Sequence, residues 1–167
     1  MKTIDDLIAT YEAKQHDYGN STHESVVRWG LISMVVRISD KINRWNTLSK
    51  NDAMVKSESL LDTIGDAFTY ACMFIGETVA INYSIDVPDI PTIMRKISKL
   101  ALADTLSSKA QVVMPPSGAK CVLTLIGEKV SYNSFTACEE LCEKLAIDMA
   151  KLYNILSNEE QEGKLTK

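Results

Sequence analysis

The stretch Ser57–Asn82, SESLLDTIGDAFTYACMFIGETVAIN, decides how the chain is read. Leu61, Ile64, Phe68, Cys72, Ile75 and Val79 recur at three- and four-residue intervals, the period of an α-helix with a buried stripe. Working outward from it, Thr3–Lys14 places Ile4, Leu7, Ile8 and Tyr11 at the same period, with Asp5 and Asp6 where a helix N-terminus favours negative charge. Glu24–Leu48 places Val35, Ile38, Ile42 and Trp45 likewise, predicting one long second helix. Further helices are predicted over Thr92–Ser108 and Ser134–Leu156, with Phe135, Cys138, Leu141, Leu145, Met149, Leu152 and Leu156 facing inward in the last.

One segment reads as β. Lys120–Ile126, a Gly127-Glu128 turn and Lys129–Tyr132 predict a hairpin, with Gln111–Met114 as a further strand. The expected fold is therefore mainly α: a bundle of about five helices with a small β-hairpin inserted in the C-terminal half. It forms a single domain over 1–167, divided into a helical core, 1–83, and a hairpin-plus-helix extension, 84–167. Trp29 and Trp45 are expected in the core, with one of them available as a stacking wall.

Composition narrows the function. With 46% hydrophobic and 24% charged residues and only seven Gly and four Pro, 167 residues suit a packed domain. A net charge of −4 argues against general nucleic-acid binding, which draws on a basic excess. No uninterrupted apolar run approaches the roughly 18 residues of a membrane span, and no secretory leader pattern opens the chain, so a cytoplasmic location is expected. The cysteines Cys72, Cys121, Cys138 and Cys142 form no Cys-x-x-Cys pair.

Charged residues gather on the second and third helices. Glu58, Asp62 and Asp66 lie at i, i+4 and i+8, about 6 Å apart in rise, along one ridge beside the apolar stripe. Like charges at that spacing repel, so a cation is expected to offset them. Mg²⁺, a hard ion that bridges carboxylates to phosphates, is one candidate. The other is a lattice with Arg37, Lys41 and Arg44, which share a face with Asp40 on the second helix. Arginine forks also suit phosphate oxygens, and the loop before that helix adds Lys14, His16, Asp17, Tyr18 and Gly19 at its mouth. Lys14 and Tyr18, four residues apart, would clasp a base or a phosphate if the first helix reaches Tyr18; otherwise Tyr18-Gly19 is a packed C-cap. His16 and His23 are expected in solvent.

Lys14-x-x-Asp17-Tyr18-Gly19-Asn20, then Arg37-Ile-Ser-Asp40-Lys41-Ile-x-Arg44, then Glu58-Ser-x-x-Asp62-Thr63-x-x-Asp66-x-x-x-Tyr70 together resemble the nucleotide-modification-associated helical domain of phage and bacterial proteins. That domain is similar in outline to the all-α nucleoside triphosphate pyrophosphatases of the MazG and dimeric dUTPase type. The resemblance implies Asp40, Glu58, Asp62 and Asp66 as Mg²⁺ ligands, Asp62 and Asp66 at the catalytic centre, and Lys14, Asp17, Tyr18, Arg37, Lys41 and Arg44 as ligand-binding residues. It further implies cleavage between the α and β phosphates in nucleotide metabolism, and a homo-oligomer. The chain departs from the pyrophosphatase pattern in having only Asp40, followed by Lys41, where those enzymes supply Glu-x-x-Glu. A non-catalytic binder that sequesters a nucleotide or nucleotide signal, as a protein countering host defence would, is the alternative. A helical interaction protein with a structural ion-pair lattice is the third.

Overall fold

The computed structural model describes residues 2–51, 59–107 and 114–162, and it is helical throughout. Seven helices are present among the described residues: α1 (Ile4–Tyr18), α2 (Ser21–Trp29), α3 (Ile32–Leu48), α4 (Leu60–Tyr83), α5 (Ile90–Ser107), α6 (Pro116–Ser131) and α7 (Phe135–Gln161). The mainly α class is observed; five helices and a hairpin are not.

Helix α4 is the axis. Leu61, Ile64, Ala67, Phe68, Ala71, Cys72, Phe74 and Ile75 are all buried, so the predicted stripe widens until it nearly encircles the helix. It packs most extensively on α7, then on α3 and α5. Its N-terminus is closed by a capping box: the Asp62 amide donates to the Ser59 hydroxyl, and the Asp62 carboxylate accepts from the Ser59 amide. By length and hydropathy α4 could cross a bilayer, but 72% of its apolar window is buried within the fold, as befits a core helix. Gly76 admits α5 at close quarters, since a Cβ there would stand 2.5 Å from Ile90 Cδ1 and 3.0 Å from Pro88 Cβ.

The predicted hairpin is instead helix α6. Ala119, Leu123, Ile126 and Val130 are its buried positions, spaced four, three and four, and they face α3 and α7. The apolar run within Lys120–Ile126 that suggested a strand is part of this longer period. Gly127 is an interior helical residue beside Val35, not a turn. Of the third strand, Gln111–Val113 lie outside the described residues.

The predicted second helix is two. Gly30, at φ 73°, ends α2, and the chain re-enters helix at Ile32. Gly19, at φ 59°, separates α2 from α1, which runs through to Tyr18 and so places Lys14 and Tyr18 one turn apart on one helix. Trp45 is buried in the core, whereas Trp29, at the end of α2, is 66% exposed. The correction follows from the break, which frees Trp29 from the stripe that seats Trp45.

Candidate functional site

A groove runs between α1, α3 and α4, and α2 forms part of one rim. Its outer half, about 410 Å³, is lined by Lys14, Gln15, Tyr18, Ser21, Thr22, Arg37, Asp66 and Tyr70, among others. Its inner half, about 540 Å³, is lined by Lys2, Asp6, Lys41, Asp62, Thr63 and Tyr153. Leu7, Thr10, Lys14 and Asp66 line both halves, so the two spaces adjoin.

The acids of α4 are already partnered. Asp62 Oδ1 accepts from Lys2 Nζ at 2.6 Å, while Oδ2 serves the Ser59 cap. Burial works to raise the Asp62 pKa, but the bonds from Lys2 and Ser59 outweigh it and hold the carboxyl below its ordinary value of 3.8. Asp66 accepts from Lys41 at 2.7 Å and lies 3.6 Å from Lys14. Lys2 is positioned by α7, whose Ser157 hydroxyl donates to the Lys2 carbonyl at 2.5 Å.

Among the described residues the cations that meet Asp62 and Asp66 are thus lysines, one of them sixty residues away in sequence. Arg44 Nε donates to Thr63 Oγ1 at 3.0 Å. The Arg37 guanidinium lies 5.9 Å from the centroid of the Tyr70 ring, a cation–π arrangement. Among the described residues no carboxylate pairs with Arg37, although its side chain lines the outer half of the groove.

Of the residues expected at the site, Arg44 lines neither half and meets the groove only through Thr63, and two more lie apart from it. Asp40 is exposed with Val36, Asn43 and Thr47 on the outward face of α3. At roughly 100° per residue it falls beyond Arg37, Lys41 and Arg44 on the side away from the core. Asp17 is exposed and meets His16 at 3.2 Å, and it does not line the groove. Glu58 lies outside the described residues. His23, expected in solvent, is instead half-buried against the Glu77 carboxylate at 3.0 Å.

Among the described residues, which do not include Glu58, no three His, Cys, Asp or Glu side chains gather closely enough to hold a metal. Asp62 and Asp66 each face a lysine, and Asp40 points elsewhere. Sequence reading missed Lys2 and Tyr153. The first is remote in the chain, and the second is hidden among apolar helical positions.

No family model matches the chain, and neither a curated protein nor a solved structure is significantly similar to it.

Proposed function

We propose that this chain binds a nucleotide or nucleotide-like anion in the α1/α3/α4 groove and holds it without cleaving it. One observation carries this reading: Arg37 lines the groove, backed by the Tyr70 ring, with no carboxylate partner among the described residues. A partly buried guanidinium loses hydration, and a phosphate supplies the two-pronged acceptor that its fork matches. Lys14 lines the same half, 3.6 Å from Asp66. The N-terminus of α2 also borders this half through Ser21 and Thr22, and its N-cap residue Asn20 makes no side-chain capping bond. Backbone N–H groups at such an end favour an anion. The outer half therefore suits phosphate, and each half is of the order of volume that small-molecule sites occupy.

Retention is favoured over pyrophosphate release because Asp62 and Asp66 are each engaged by a lysine and Asp40 faces away from them. The proposed role agrees with the sequence resemblance to nucleotide-modification-associated domains. The test is thermal stability with a panel of deoxynucleoside triphosphates, followed by mass spectrometry of the ligand after denaturation. The expected result is a nucleotide-dependent rise in melting temperature, lost in Arg37→Gln, with the ligand recovered intact. A panel without any effect removes the reading, and release of pyrophosphate in Mg²⁺ replaces holding with hydrolysis.

The Lys41–Asp66 and Lys2–Asp62 pairs also favour a second reading, a helical interaction protein whose polar ridge is structural. That reading requires Lys41→Met to lower stability while nucleotides leave it unchanged.

A further inference from the structure

The inner half of the groove differs in chemistry from the outer half. Lys2, Lys14 and Lys41 stand against Asp6, Asp62 and Asp66, so it is balanced in charge. Its acids are engaged: Asp62 with Lys2, Asp66 with Lys41, and Asp6 with the Thr3 amide and hydroxyl. Thr63 is also engaged, accepting from Arg44 and donating to the Ser59 carbonyl. A phosphate placed here would have to break existing pairs.

Tyr153 is the exception. This α7 residue is 1% exposed and lines the inner half, yet its hydroxyl finds no hydrogen-bond partner among the described residues. Such groups are uncommon in folded proteins and call for an explanation. The ring reaches this position across α4 because residue 65 is glycine, where a Cβ would stand 3.1 Å from Tyr153 Cε2 and 2.9 Å from Leu7 Cδ2. Burial, aided by the charges of Asp6, Asp62 and Glu160, keeps the phenol protonated, with its pKa pushed up to about 12. It is therefore a donor throughout the neutral range.

We propose that the inner half receives the uncharged nucleoside part of the ligand, with the Tyr153 hydroxyl donating a hydrogen bond to an acceptor on it. This rests on the nucleotide reading above and assigns the two halves of the groove different tasks. The outer half grips phosphate through Arg37 and Lys14; the inner half reads a group that is polar without being ionic. A base edge and a sugar rim share that chemistry.

The test compares wild type, Tyr153→Phe and Arg37→Gln by calorimetric titration with the four common deoxynucleoside triphosphates and with inorganic tripolyphosphate. Arg37→Gln should weaken every ligand. Tyr153→Phe should weaken the nucleotides by roughly tenfold, leave tripolyphosphate unchanged, and keep or raise the melting temperature, since it deletes a buried hydroxyl that lacks a partner. A loss confined to some bases assigns the contact to the base edge, and an equal loss for all four assigns it to the sugar. If Tyr153→Phe leaves nucleotide affinity unchanged, weakens tripolyphosphate equally, or lowers the melting temperature by several degrees, the inner-half assignment is overturned while the phosphate grip at Arg37 stands. Wild-type protein that binds tripolyphosphate but no nucleotide has the same consequence. If it binds none of these ligands, both proposals fall.

Discussion

The imidazole of His23 on α2 lies 3.0 Å from the carboxylate of Glu77, a residue only 3% exposed in the C-terminal third of the core helix α4. A buried carboxylate stripped of its partner costs far more than a surface one. His23→Ala should therefore lower unfolding free energy by about 1–3 kcal/mol, measured by urea denaturation. Adding Glu77→Leu should recover part of that loss, because no charge is then left stranded; a double variant weaker than the sum of its parts contradicts this account.

Two glycines separate close packing from a misread turn. Gly76→Ala would press a methyl group to within 2.5 Å of Ile90 Cδ1, and it should destabilise the protein by about 1–3 kcal/mol. Gly127→Ala meets only Val35 Cγ1 at 3.6 Å inside α6, so it should stabilise by roughly 0.5–1 kcal/mol through helix propensity. Were Gly127 the turn of a hairpin, the second substitution would lower the melting temperature instead of raising it.

Acid should act partly through Asp62. Its folded pKa is depressed, so the group stabilises the fold above its unfolded pKa of about 3.9 and stops doing so as pH falls through the lower folded value. Asp62→Asn should begin less stable at neutral pH, having weakened both the cap and the Lys2 pair, and should then show a shallower decline between about pH 5 and pH 2. Thermal melts across that range check the slope; parallel curves would mean that Lys2 and Ser59 do not set this carboxyl's ionisation.

Thiol chemistry offers a test of the core. Cys72, Cys138 and Cys142 are buried, and burial is the main cause holding each thiol above its ordinary pKa. Cys121 is exposed on α6. A maleimide should label Cys121 rapidly in the native protein and the other three only in denaturant, as read by peptide mass spectrometry.

What the sequence made legible follows from the range of the interactions involved. The α4 stripe could be read because a helix repeats its own period over many residues, and the bundle follows from several such stripes. The break at Gly30 was missed because the period of the second helix was established from Val35 onward, where α3 is already regular. The false hairpin came from a short apolar run, too brief to separate a period of two from one of 3.6. Spacing grouped Asp62 with Asp66 on α4 and Arg37 with Lys41 on α3, since each set is local to one helix. It could not find Lys2 or Tyr153, whose roles depend on α1 and α7 being folded against α4. Nor could it place Asp40, which differs from its neighbour Lys41 only by a step around the helix.

The helix that floors the groove is also the helix on which the whole core is built. That shared duty means the floor has surrendered its freedom during folding, before any guest arrives. What remains to be ordered is the rim, chiefly Lys14 and the 72% exposed Tyr18. Stiffening those two side chains should tighten capture without touching a single contact below them.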